Sequence, residues 1–306
     1  MKDETRAFYE RAVRAAVATI AAGLDDALEL AALARGAALS PLHFHHVFRG
    51  MLGETPLELH RRLRLERAAW QLANRDDAVT RIAFDAGYET HESFTRAFRG
   101  AFAASPSEFR DRARRDDGCT RPPDGVLAAR SGLHFTDLDR VAPIPMFIGE
   151  HAMNVEVHTM PELRVAAVRH AGPYNEIAEA FARLGAIAGP AGLLRQPGVT
   201  MVAIYHDDPE TTAAAELRSD AGLVIPPDAA LPRELVELHL PPGSYARTTH
   251  RGPYTRLGDA WARFMGEWLP ASGHRVGPGG SYEVYRNTPE TASPDELVTD
   301  LYLSIA

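Results

Sequence analysis

Three phenylalanines recur at i, i+4 and i+8 in "HESFTRAFRGAF". That spacing places Phe94, Phe98 and Phe102 on one face of a helix predicted near 90–102. With about 3.6 residues per turn, Glu92, Arg96 and Arg99 fall on the opposite face, Thr95 lies at its border and His91 sits in the first turn. A shorter apolar segment holding Ile82 and Ala83 precedes it, and Gly87 between the two permits the tight turn of a helix-turn-helix. Thr90 is placed to cap the second helix.

The same pattern occurs fifty residues earlier. Phe44, Phe48 and Leu52 form the inner stripe of a helix predicted near 41–51, and Leu42, His46 and Arg49 face outward with His45 at the border. The turn falls near Ala37-Ala38, Ser40 is placed as N-cap and Pro41 occupies the first turn. Phe48, Arg49, Gly50, Pro56 and Glu58 recur as Phe98, Arg99, Gly100, Pro106 and Glu108. A repeat of this length indicates one supersecondary unit used twice. Between the copies, "PLELHRRLRLERAAWQLANRDD" reads as a single helix. Leu59, Leu63 and Trp70 are its apolar positions, and Arg61, Arg62, Arg64 and Arg67 are available for phosphate contacts.

Near residue 113 the helical pattern stops. "ARRDDGCTRPPDG" and "VAPIPMFIGE" are poor material for regular structure. Beyond them apolar runs alternate with helical stretches, and a second repeat appears. His170 recurs as His250, Gly172-Pro173-Tyr174 as Gly252-Pro253-Tyr254, and Phe181-Ala182-Arg183 as Trp261-Ala262-Arg263, eighty residues apart. Each unit reads strand, turn, strand, then a helix opened by Gly-Pro. Two such units predict an α+β domain with pseudo-twofold symmetry and a cleft between its halves. In "SYEVYRN", alternation sets Ser281, Glu283 and Tyr285 on one strand face and Tyr282 and Val284 on the other. A carboxylate among aromatic residues needs a partner: an arginine of the core, or a cationic ligand attracted also by the rings. Tyr205, Tyr254 and Trp261 are the candidate walls.

Composition narrows the reading. The 306 residues are 45% apolar and 24% charged, as in a globular protein, and the longest apolar runs fall short of a membrane span. The N-terminus mixes acids and bases without a secretory signal, so a cytoplasmic location is expected. The one cysteine, Cys119, excludes an internal disulfide and a cysteine-based zinc site. Net charge is −8, divided as +2 over residues 1–115 and −10 over 116–306, so any nucleic-acid contact belongs to the first part. "HFHH" at 43–46 lacks companion ligands for a metal, "GPGGS" at 277–281 lacks the Gly-Lys-Ser/Thr ending of a phosphate cradle, and no Gly-x-Ser-x-Gly elbow occurs. No cofactor, metal or catalytic residue is expected, and the chain is read as a non-enzyme.

Residues 8–111, through "SPLHFHHVFRG", "LELHRRLRLERAAWQL", "VTRIAFDAGYET" and "FTRAFRGAFAASPSEFR", resemble the double helix-turn-helix domain of the AraC/XylS transcription regulators. The resemblance implies base contacts in double-stranded DNA from Leu42, His45 and His46 in the first unit and from His91, Glu92, Thr95 and Arg96 in the second. Arg49 and Arg99 share those outer faces. Residues 153–306 resemble the GyrI-like effector-binding domain through "VEVHTMPELRVAAVRHAGPYNEI", "RTTHRGPYTRLGDAW" and "SYEVYRNTPETASPDELVTDLYLSI". That implies a cleft for bulky small molecules, often cationic or aromatic. The expected fold is therefore multidomain: an all-α double helix-turn-helix domain over 1–112, a linker over 113–152 and an α+β pseudo-twofold domain over 153–306. The expected function is sequence-specific, effector-modulated transcription regulation with a contact to RNA polymerase. The alternative is a GyrI-like small-molecule hydrolase or drug-sequestering protein carrying an attached DNA-binding domain.

Overall fold

Apolar stripes with local caps build the first part of the chain as seven helices: α1 (Lys2–Ala22), α2 (Leu30–Gly36), α3 (Pro41–Leu52), α4 (Pro56–Asn74), α5 (Val79–Asp85), α6 (His91–Phe102) and α7 (Pro106–Arg115). The computed structural model describes residues 2–115, 132–136 and 153–306; most of the expected linker, Cys119 included, lies outside the described residues. Ser40 caps α3 by accepting from the His43 amide at 3.3 Å, and Thr90 caps α6 by accepting from the Ser93 amide at 3.1 Å. α4 opens on a capping box. The Thr55 hydroxyl accepts from the Glu58 amide at 3.1 Å, and the Glu58 carboxylate accepts from the Thr55 amide at 2.8 Å.

The long helix α4 serves two cores. Leu59 and Leu63 enter the one built on α1–α3, and Leu65, Ala68, Ala69 and Leu72 enter the one built on α5–α7. Of the four arginines expected to be available for phosphate contacts, Arg61 is exposed and the other three are engaged within the protein. Arg62 is bound by Glu54, Glu66 and the Leu133 carbonyl, Arg64 donates to the Leu24 carbonyl, and Arg67 donates to Asp25 and the Asp85 carbonyl. They brace the helical bundle.

Two alanines carry left-handed backbone: Ala38 in the first turn, φ 54°, and Ala103 after α6, φ 51°. The corresponding strain is absent at Gly87, φ 80°, and Gly53, φ 76°, which hold the equivalent turn and cap in the other copy. Both alanines are exposed, so their methyl groups add no buried contact. Ala38→Gly and Ala103→Gly are each expected to stabilise the helical domain by about 1 kcal/mol, read as a rise in the denaturant midpoint.

The second part is one antiparallel sheet of eight strands in the order β1-β6-β8-β7-β3-β4-β2-β5. These are β1 (Val155–Met160), β2 (Leu163–Ala171), β3 (Thr200–Tyr205), β4 (Arg218–Ile225), β5 (Val236–Leu240), β6 (Gly243–Arg251), β7 (Val276–Tyr285) and β8 (Val298–Ile305). The eighty-residue repeat superposes β2 on β6, β3 on β7 and β4 on β8, and the halves join at the central β3–β7 pair. The leading strand of each unit crosses over, so β1 pairs with β6 and β5 with β2. Helix α8 (Ile177–Ala188) covers the first half with Ala180, Leu184 and Ala188. Its counterpart in the second half is α9 (Leu257–Arg263), continued by a π-helical turn Phe264–Trp268 and by α10 (Leu269–Ser272). Among the described residues no helix is long and apolar enough to cross a membrane.

Beside cores of their own, the two parts share one. One cluster joins Tyr9, Phe44, Phe48 and Met51 of the helical part to Leu257, Trp261, Phe264 and Leu301 of the sheet part. The cluster of α5–α7 is built only from residues between Leu65 and Phe109.

Candidate functional site

Glu283 lies on β7, directly opposite Ala203 of β3 at the seam between the two half-sheets. It is 3% exposed. Trp261 Nε1 donates to Oε1 at 2.8 Å and the Tyr285 hydroxyl donates to Oε2 at 2.8 Å. The arginine partner that the sequence left open is not found: among the described residues its hydrogen-bond partners are these two neutral groups. Burial raises the carboxyl pKa, and the two hydrogen bonds offset part of that.

Around it stand six aromatic side chains. Tyr205 and Tyr285 share a hydrogen bond at 3.0 Å between their hydroxyls. The Tyr174 ring centre is 4.7 Å from that of Tyr205, and Tyr254 and Phe181 are 5.2 and 5.6 Å from that of Tyr285. Burial, and for both groups the Glu283 charge, push the Tyr205 and Tyr285 hydroxyls well above the ordinary tyrosine range. All four residues expected from the sequence, Tyr205, Tyr254, Trp261 and Glu283, therefore meet at one place. Tyr174, Phe181 and Tyr285 were missed, and the repeat carries the signal for them. Tyr174 matches Tyr254, Phe181 matches Trp261 and Tyr205 matches Tyr285 at the same offset. Three symmetric aromatic pairs thus surround one unsymmetric carboxylate, since the repeat partner of Glu283 is Ala203.

The two helices expected to meet DNA have different surroundings. On α6, Phe94 and Phe98 are fully buried and Phe102 nearly so, while His91, Glu92, Arg96 and Arg99 are exposed and Thr95 is half-buried. His91, Glu92, Thr95, Arg96, Arg99 and Gly100 line one open hollow of the surface. On α3, Phe44, Phe48 and Leu52 are buried as expected, but the opposite face is not open. Leu42 is 8% and His45 6% exposed. The His46 ring stacks on Trp261 at 5.9 Å between centres, and Arg49 is paired with Asp259 at 2.6 Å. His45 stands 3.3 Å from Asp208 and 3.5 Å from Glu210. The sequence expectation of a solvent-facing reading surface on the first unit is corrected here: Leu42 is buried, and His45, His46 and Arg49 are taken up by the sheet domain. Burial pushes His43 down to about 4 and His46 well below the usual histidine range, so both rings are neutral in place. Among the described residues no cluster of three or more His, Cys, Asp or Glu is arranged to hold a metal ion.

The profile of a GyrI-like small molecule binding domain matches residues 153–306, and that of a helix-turn-helix domain matches residues 33–112. A protein named DNA gyrase inhibitor from Yersinia enterocolitica is 35% identical over 130 residues, covering 40% of this chain and 80% of that protein. The regulatory protein SoxS of Escherichia coli is 28% identical over 104 residues, covering 34% of this chain and 97% of SoxS. The RCS-specific helix-turn-helix transcriptional activator RclR of the same organism is 38% identical over 82 residues, covering 27% of this chain and 29% of RclR.

Proposed function

The chain belongs to the GyrI-like small molecule binding domain family and carries an AraC-type helix-turn-helix domain ahead of it, and from that premise we propose that it is a transcription regulator switched by a lipophilic aromatic cation held at Glu283. The observation that carries the ligand class is the buried carboxylate of Glu283, whose hydrogen bonds come from neutral donors inside a ring of aromatic side chains. A desolvated anion lined by π-faces favours a cation that is itself aromatic and weakly hydrated. Both carboxylate oxygens already accept a hydrogen bond, which suits holding charge rather than taking a proton from water, so the reading is of binding without turnover.

The DNA side of the proposal rests on α6. On this reading the exposed Arg96 and Arg99 contact guanine edges, Glu92 accepts from cytosine, and His91 and Thr95 complete the reading face. Leu42, His45, His46 and Arg49 of α3 form the second reading face once it is uncovered. A cytoplasmic setting and a contact with RNA polymerase complete the proposal.

The test is fluorescence anisotropy of the full chain on its own upstream DNA and on scrambled DNA across a salt series. Tetraphenylphosphonium, a permanent aromatic cation, is added as the probe. Selective binding with a steep salt slope that the probe alters is the expected result. Equal binding to both DNAs would remove the operator-reading role. Arg96→Ala is expected to weaken operator binding about tenfold and to lower the salt slope by about one.

A further inference from the structure

The fifty-residue repeat supplies an internal control for every outward position of α3. Gly100 on α6 has open space where a Cβ would stand, whereas a Cβ on its partner Gly50 would fall 2.7 Å from the Gly266 Cα. Arg99 is exposed, whereas Arg49 is held by Asp259. Arg96 is exposed, whereas His46 lies on Trp261. Thr95 is half-buried, whereas His45 is buried beside Asp208 and Glu210. The same local sequence pattern has one copy facing solvent and the other pressed backbone-to-backbone onto the π-helical turn of the sheet domain.

The covering surface is the rim of the Glu283 site itself. Trp261 donates its N–H to Glu283 and offers its ring to His46. Ser281, two residues before Glu283 on the same strand face, has its hydroxyl 3.1 Å from His43 Nε2. Asp208 and Glu210 belong to the segment that follows Tyr205, and the Tyr174 hydroxyl pins that segment at Asp207. Three histidines of α3 thus meet residues that flank the site: Trp261, Ser281 and the acidic pair.

We propose that α3 is latched shut against the effector domain, that this latch excludes it from DNA, and that a cation taking the Glu283 carboxylate releases it. The inference rests on the reading of α3 and α6 as DNA-reading helices and of Glu283 as the effector site. The exclusion is steric. A major groove about 12 Å wide admits a bare helix of about 10–12 Å diameter, and α3 carries a second helix in van der Waals contact with its backbone at Gly50. The release is a matter of shared groups. A cation that claims Glu283 withdraws the acceptor that fixes the Trp261 indole, and that ring is the seat of His46. The ligand then binds the open arrangement better than the closed one and shifts the population toward it. By reciprocity, operator DNA tightens ligand binding by the same factor. In the latched state only α6 reads DNA, so the chain engages one groove segment instead of two.

Two substitutions outside both reading helices open the latch by different means. Asp259→Arg places a cation against Arg49 at an exposed position. Gly266→Ala brings a Cβ to 2.5 Å from the Gly50 carbonyl carbon and 2.7 Å from the Met51 nitrogen. The full-length proteins are compared by nuclease footprinting on the upstream DNA. Diethylpyrocarbonate modification of His43, His45 and His46, read by mass spectrometry, reports the latch without DNA. The wild type is expected to protect one groove segment and to keep these histidines unreactive. Both variants are expected to protect two segments, bind about tenfold or more tightly and expose the histidines, the gain expected when a state populated at ~10% becomes dominant. Tetraphenylphosphonium added to the wild type reproduces the variants, and added to Glu283→Gln does not. Equal histidine reactivity in wild type and variants, or newly reactive histidines with no gain in footprint or affinity, overturns the latch while the regulator reading stands. Absence of selective DNA binding in every form removes the regulator reading, and the latch with it.

Discussion

Glu283→Gln is expected to weaken binding of a lipophilic aromatic cation by about 100-fold or more, close to the ~3 kcal/mol typical of truncating one side of a desolvated charge pair. The amide keeps the size of the carboxylate and an oxygen for the Trp261 N–H, so the shape of the site survives while its charge is lost. The aromatic pairs remain and hold the residual affinity. The same substitution is expected to stabilise the empty protein at neutral pH. Burial raises the Glu283 pKa in the folded state above its value in the unfolded chain. Between those two values the folded protein holds a proton that the unfolded chain has already released. The carboxyl's contribution is therefore fully present below the ordinary glutamate pKa and is lost as pH rises through the folded one. Glutamine has no such dependence. Denaturant unfolding from about pH 4 to pH 8 should show wild-type stability falling across that window relative to the variant, and calorimetric titration with tetraphenylphosphonium should show the loss of affinity. Equal affinity in the two proteins would end the assignment of Glu283 as the ligand's anion.

What the sequence makes legible is local or repeated. The i, i+4, i+8 phenylalanines and the caps at Ser40 and Thr90 depend on neighbours along the chain, and they are found where the pattern puts them. The strand alternation at 281–285 likewise separates Glu283 from Tyr282 and Val284, which pack on the other face with Tyr245 and Tyr302. The three aromatic residues that were missed were recoverable, because each stands eighty residues from one that was named. The exchange of β1 and β5 between the half-sheets was not recoverable: both leading strands show similar patterns, and nothing in either specifies its partner. The cover over α3 was equally hidden. An outward helix face of leucine, histidine and arginine reads the same whether DNA or protein is to meet it. Gly50 and Gly100 are the same residue in the same local motif, and only the approach of Gly266 separates their roles. Arg62, Arg64 and Arg67 illustrate the same limit, since their acceptors are carboxylates and backbone carbonyls remote in sequence or on the next turn.

Phe98→Ala and Phe48→Ala, the same change at repeat-related positions, are expected to differ in how far their damage spreads. Both side chains are fully buried, and removing a buried phenylalanine ring costs about 3–5 kcal/mol. Phe98 packs with Phe94, Phe102 and Phe109 at centre-to-centre distances of 5.5, 4.4 and 5.4 Å, in a core drawn only from α4–α7 and the segments joining them. A loss of that size is comparable to what so small a unit can supply, so α5–α7 should unfold locally at a lower denaturant concentration than the rest. DNA binding is lost with them, while the Glu283 site retains its affinity for tetraphenylphosphonium. Phe48 belongs instead to the core shared with Leu257, Trp261, Phe264 and Leu301. Its cavity opens beside the helix that carries Trp261, so Phe48→Ala should lower the unfolding midpoint of the sheet domain and weaken the cation site as well. Circular dichroism unfolding followed alongside tryptophan fluorescence separates the cases, because Trp261 and Trp268 report the shared core and Trp70 lies on the exposed side of α4. If Phe98→Ala impaired the cation site as much as Phe48→Ala does, the two cores would be acting as one cooperative unit. The second reading head could not then remain folded and available while the first is held against the effector domain.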